Sequence, residues 1–137
     1  MKWGLRFLGC CDILTFFIFI IPKTQFFIQT FEYQNFSMAQ KASALWEVLV
    51  LLFFLSSGTL LILNKKSGLL FSFILIPFRV AFLYFSFDFI SYLLYHLGYQ
   101  TLVSSAPFQS YWFWFLLITE VLRYTYSLFV YYRLSKD

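Results

Sequence analysis

Between Gly68 and Gly98 run 29 residues, Leu69 to Leu97, made mostly of Phe, Leu, Ile and Tyr and interrupted by one proline, Pro77, and two opposite charges, Arg79 and Asp88. The hydrocarbon core of a bilayer is about 30 Å thick and is crossed by about 20 helical residues. This stretch therefore reads as a membrane span, from 69 to 97, that is too long to stand straight. Pro77 removes one backbone hydrogen bond and its ring crowds the preceding turn, so it is the expected kink, and neighbouring helices compensate for such a loss in a membrane. A packing kink and a gating hinge both fit that position.

Helical spacing sorts the polar residues of the span onto two faces. Ser72, Arg79 and Ser86 recur every seventh residue on one; Tyr84, Asp88, Ser91, Tyr92 and Tyr95 share the other. Arg79 and Asp88 fall on opposite sides, so each needs a partner on another helix.

The rest of the chain is of the same kind. It is 61% hydrophobic, 26% aromatic and 12% charged over 137 residues, against about a quarter charged in soluble domains, which leaves no room for a separate soluble domain. A net charge of +4 would raise the question of nucleic acid in a soluble protein. Here the basic residues stand beside apolar runs, where they set topology, and no nucleic-acid partner is expected. The expected partners are the lipid bilayer and either another membrane protein or further copies of the chain.

A first span is expected over 3–21: it has a basic start, but Asp12 inside it and the lack of a small-x-small site after it argue against a cleaved signal peptide. Residues 22–37 mix Gln25, Gln29 and Glu32 with Phe26, Phe27 and Phe31, the composition of a short loop lying on the interface before the second helix. Ser37-Met38-Ala39-Gln40 matches a capping box and opens the second span, 44–64, whose Ser56-Ser57-Gly58-Thr59 lets another helix approach closely. Asn64 to Gly68 is a tight basic turn. Residues 99–110 are uncharged, contain Pro107 and are expected as a loop. The fourth span, 111–132, has Trp112 and Trp114 at one end and Tyr131 and Tyr132 at the other, as interface anchors do. The fold class is thus an all-α integral membrane protein, one domain over 1–137, with four transmembrane helices in an antiparallel bundle.

With the N-terminus inside, Lys2, Arg6, Lys65, Lys66, Arg133 and Lys136 fall on the inner side against Lys23 and Lys41 outside, which places both termini in the cytoplasm. Small size and no eukaryotic targeting signal point to a bacterial cytoplasmic membrane, where the glycosylation triplet Asn35-Phe36-Ser37 has no role. Arg6-Phe7-Leu8-Gly9 followed by Asp12, and later Leu63-Asn64-Lys65-Lys66, resembles the start and middle of GtrA-like four-span proteins. The resemblance implies the four-span arrangement over those residues and carries no function across.

Ionisable residues inside the spans hold the chemical content. A charge at the centre of a span costs about 2.5 to 3.5 kcal/mol on insertion scales, so such residues face the bundle interior and find partners. Counting about 1.5 Å per residue puts Asp12, Arg79, Glu120 and Arg123 in one layer. They are expected to form a neutral network, with Glu120 and Arg123 pairing locally three residues apart and Asp12 meeting Arg79 across helices. Glu47, Tyr84, Asp88, Tyr92 and Tyr95 form a second, outer polar face. The inner layer fits a register lock, a pathway for protons or an ion, or a seat for an anionic lipid head group on the two arginines.

Catalytic signatures are missing. One histidine, His96, and the adjacent thiols Cys10 and Cys11 do not compose a metal site or an ordinary disulfide framework. Ser91, Asp88 and His96 have the residue types of a triad, but on one helix Asp88 and His96 stand about 12 Å apart and do not converge. No glycine-rich phosphate loop occurs, so no catalytic, cofactor or metal residues are expected. Two classes of function remain: a non-enzymatic accessory or assembly subunit, and a small oligomeric ion- or proton-coupled transporter or channel that uses the charged layer.

Overall fold

The computed structural model describes residues 2–33 and 35–134, with the side chain of Lys2 left out. Six helices follow in order: α1 (Lys2–Glu32), α2 (Met38–Ile62), α3 (Lys66–Phe82), α4 (Phe89–His96), α5 (Gln100–Val103) and α6 (Ala106–Leu134). Three stretches, Trp3–Glu32, Met38–Ile62 and Ala106–Leu134, are long and apolar enough to cross a membrane. Their large exposed side chains are apolar and aromatic, among them Phe17, Trp46, Trp114, Ile118 and Phe129. Such a surface suits lipid and is costly in water.

Several expected boundaries move. The interfacial loop over 22–37 is mostly helix, because α1 runs on through Pro22 to Glu32. No glycine interrupts that stretch and its Gln and Glu residues are good helix formers; a single proline inside a membrane helix is tolerated. Ser37 caps α2 as the capping box predicts, its hydroxyl accepting from the Gln40 amide while the Gln40 side chain accepts from the Ser37 amide at 2.8 Å. The expected loop over 99–110 contains the short α5, and α6 starts at Ala106, with Pro107 in its first turn, where a missing amide donor costs nothing.

The largest change is in the third span. The helix does not end at Pro77; it passes through it and stops at Leu83, which adopts the left-handed conformation with φ 56° and ψ 33°. Residues 83–88 are unwound before α4 begins, so the expected single helix over 69–97 is two helices and a break. Left-handed backbone costs an L-residue about 1 to 2 kcal/mol, and the sequence offers neither glycine nor asparagine there. Something outside the segment holds it open.

The core has two parts. Leu5, Leu8, Leu61, Leu69 and Val130 form one cluster, and Val50, Leu51, Phe54, Leu75 and Tyr84 the other. α1 packs most extensively on α2, α2 next on α3, and α6 most sparsely on the rest. Gly9 of α1 sits backbone to backbone on Gly58 of α2, where a Cβ added to Gly9 would lie 2.6 Å from the Gly58 carbonyl oxygen and one added to Gly58 2.8 Å from that of Gly9. Only a hydrogen fits at that crossing, and Ser57 and Asp12 stand next to it.

Candidate functional site

Asp12 stands one turn beyond Gly9 on α1 and has no exposed surface. Close approach of α1 to α2 brings the Ser57 hydroxyl to it, donating to Oδ2 at 3.2 Å. From α6, Arg123 reaches across and donates from Nη1 to Oδ1 and from Nη2 to Oδ2, both at 2.8 Å. That is the paired geometry in which a guanidinium fork matches a carboxylate. Arg79 of α3 donates from Nη2 to the same Oδ1. One carboxylate thus ties α1 to α2, α3 and α6.

Arg79 also faces the break. Its Nη1 donates to the carbonyl oxygen of Tyr84 at 3.4 Å and to the Ser86 hydroxyl at 3.2 Å. Its guanidinium lies over the Phe54 ring at 4.2 Å from the centroid, a cation–π contact strengthened by the burial of both groups. Glu120 of α6 accepts from the Ser86 backbone amide and lies 3.7 Å from Arg79 Nη1. Arg123 donates to the Ser86 and Ser72 hydroxyls, the latter at 3.2 Å. The backbone groups freed at 84 and 86 therefore find side-chain partners, as unwound backbone in an apolar medium must.

The four residues of the inner layer meet, and their pairing differs from expectation. Asp12 and Arg79 join across helices, but Glu120 and Arg123 do not pair locally: Arg123 turns to Asp12, and Glu120 to Arg79 and the Ser86 amide. A bidentate bond to a buried carboxylate is stronger than an i, i+3 contact on one helix. Ser72, Arg79 and Ser86, placed on one face by their spacing, do converge, although Ser86 lies outside any helix. Ser57 and the backbone of 84–86 are members that sequence reasoning missed; a break six residues beyond a proline leaves no glycine to mark it.

The outer face divides in two. Tyr84 is buried and donates to Glu47 Oε2 at 3.3 Å, while Lys23 pairs with Glu47 and lies 5.9 Å from the Tyr84 ring centroid. Asp88, Tyr92 and Tyr95 line a separate open cavity with Phe19, Ser91 and Val103. The unwinding between 83 and 88 is the reason, since it rotates Tyr84 away from the α4 residues that helical spacing placed beside it. Ser91 donates to Asp88 Oδ1 at 2.9 Å, and His96 packs on Tyr92 with ring centroids 4.4 Å apart. No triad forms from these three.

A cavity of about 140 Å3 opens between α3 and α6, bordered by Arg79, Glu120, Arg123, Ser72 and Tyr124. A second, about 340 Å3 and more open, lies between α1 and α6 at Gly4, Phe7, Phe87 and Leu122. Arg123 borders both, so the helix that packs most loosely is held by the charge it sends inward. Among the described residues no group of three or more His, Cys, Asp or Glu side chains stands close enough to hold a metal ion.

The class these features define is an all-helical protein with three helices long and apolar enough to cross a membrane and a charged cluster buried among them. Comparison with protein families, characterised proteins and solved structures returned no match to the chain. The short likeness to GtrA-like proteins therefore has no wider support.

Proposed function

We propose that this chain is a small non-enzymatic membrane protein that serves as an accessory or assembly subunit. One observation carries the reading: Asp12 is wholly enclosed and both its oxygens are taken by two guanidinium groups and a serine hydroxyl. Such a carboxylate has no free valence for a passing ion, whereas it fixes four helices against one another. The wide apolar surface of α1, α2 and α6 suits lipid and a neighbouring membrane protein alike. In this reading the chain crosses a bacterial cytoplasmic membrane four times, the third crossing being α3, the break and α4 together. The helices run antiparallel and both termini are cytoplasmic, in line with the distribution of Lys and Arg.

A second reading, a small oligomeric ion- or proton-coupled transporter, is favoured by one feature. The helix break lies beside a cavity bordered by Arg79, Glu120 and Arg123, and interrupted helices near cavities are where membrane transporters bind their cargo. The deciding experiment is the mass of the complex purified from its native membrane in mild detergent, with its components identified. A stoichiometric second protein is the expected result. A pure homo-oligomer whose proton or ion flux in vesicles is abolished by Glu120→Gln would replace the first reading with the second.

A further inference from the structure

The cavity at the junction of α1, α4 and α5 has a composition that the charged layer does not explain. It holds about 240 Å3, is open to the surface, and is lined by Phe19, Asp88, Ser91, Tyr92, Tyr95 and Val103. Asp88 stands at the start of α4 and makes no ion pair with any described residue; the ion pairs of the described residues run instead from Lys23 to Glu47, Arg79 to Asp12 and Glu120, and Arg123 to Asp12. Its Oδ1 accepts from the Ser91 hydroxyl at 2.9 Å, and no described residue donates to Oδ2. Three aromatic side chains, Phe19, Tyr92 and Tyr95, line the same cavity as this carboxylate, and His96 packs on two of them, 4.4 Å from Tyr92 and 5.7 Å from Tyr95 between centroids. The nearest basic residue along α1, Lys23, is committed to Glu47.

We propose that this cavity binds an organic ammonium group. An aromatic face attracts a cation through its quadrupole, and rings grouped around one site are the recognised means of holding quaternary and substituted ammonium groups. The carboxylate supplies the neutralising charge. A hard metal ion wants six or more oxygen ligands, and the lining offers a single carboxylate, Asp88, among mostly aromatic and apolar side chains, so a large, weakly hydrated cation is the better match. Phe19 stands seven residues beyond Asp12 on α1, or roughly 10 Å at 1.5 Å per residue, so the cavity is displaced along the helix from the charged layer. Because the cavity opens to the surface, the ammonium of a phospholipid head group and a free amine from solution are both candidate occupants; the shared chemistry is the substituted ammonium.

The test uses the full chain in a maltoside detergent, which carries no ammonium group. Tetramethylammonium chloride is titrated calorimetrically against sodium chloride at matched ionic strength, for wild type, Asp88→Asn and Tyr95→Leu. Saturable binding of tetramethylammonium over sodium is expected, about tenfold weaker in Asp88→Asn and several-fold weaker in Tyr95→Leu, with all three proteins eluting alike on size exclusion. Native mass spectrometry of wild type released from membrane particles separates the sources. A retained choline- or ethanolamine-headed lipid that tetramethylammonium displaces makes the lipid head the occupant; binding with no such lipid retained makes it a soluble amine. Heat of binding no different from that of sodium in folded wild type, or equal affinity in folded Asp88→Asn, overturns the proposal.

Discussion

Asp12 shows what a buried charge does when it is shared. Removing one partner from a buried ion pair is far more damaging than the pair is worth, because the remaining charge stays in an apolar medium, at a cost of about 3 to 5 kcal/mol. Asp12→Asn leaves two buried guanidinium groups with only Glu120 for a counter-charge, and is expected to lose most of the folded yield, read as monodisperse protein after extraction. Arg123→Lys keeps the charge but gives up the fork that reaches both oxygens of Asp12, so it should fall between wild type and Asp12→Asn in thermal stability. A harmless Asp12→Asn would remove the basis for a structural lock. Leu83 makes the opposite prediction. Its φ of 56° is strained for leucine, and its side chain is 55% exposed, so little burial is at stake. Leu83→Gly should raise stability by about 1 kcal/mol, measured by chemical denaturation.

At the scale of elements, α3 and α4 depend on α6 for the integrity of the break between them. The Ser86 amide donates to Glu120. Glu120→Ala should therefore speed hydrogen exchange of the amides at 84–88 by about tenfold or more, whereas Glu120→Gln, which keeps an acceptor oxygen, should protect most of them. Equal exchange in the two variants would mean that the segment holds itself. The α1–α2 crossing has a different dependence. Gly58→Ala sets a methyl 2.8 Å from the Gly9 carbonyl oxygen, which only a backbone shift can relieve. Overpacking of this kind costs about 1 to 3 kcal/mol, and here the displacement also moves Ser57 away from Asp12. Gly98, whose added Cβ would meet open space, is a control for backbone conformation alone: its φ of +99° makes Gly98→Ala strained without any clash.

For the whole molecule, different levels of the bundle are held by different forces. Near the chain termini, Leu5, Leu8, Leu61, Leu69 and Val130 form an apolar cluster; toward the middle the same helices are joined through Asp12, Arg79, Arg123 and Glu120. The charges of this layer sum to zero, which lets it persist without a counter-ion. Ion pairs out of contact with solvent are barely screened, so the melting temperature in detergent should stay nearly constant from 0.1 to 1 M salt. A steep fall would show that water and ions reach the layer, and would favour the transport reading.

The all-helical fold, the apolar stretches and the membership of the charged layer are legible in residues taken one by one, because the cost of placing a charge or a bare amide in hydrocarbon depends on residue type and depth alone. Asp12, Arg79, Glu120 and Arg123 announce themselves as misfits in apolar runs, and Ser37 with Gln40 announces a helix start by local hydrogen bonding. Which charge meets which, however, depends on the distance between helices, and that was set by Gly9 against Gly58 and by the reach of Arg123 across a loosely packed α6. The break at Leu83 was invisible for the same reason. No glycine or asparagine marks it and its nearest proline lies six residues away, but acceptors and donors from Arg79 and Glu120 offer the backbone at 84–86 partners that a continuous helix would not use. Sequence by itself determined the helical, apolar character of this chain and the charged residues set within its apolar runs. Tertiary structure decided the pairing, because a buried polar group can take only a partner that packing brings within reach.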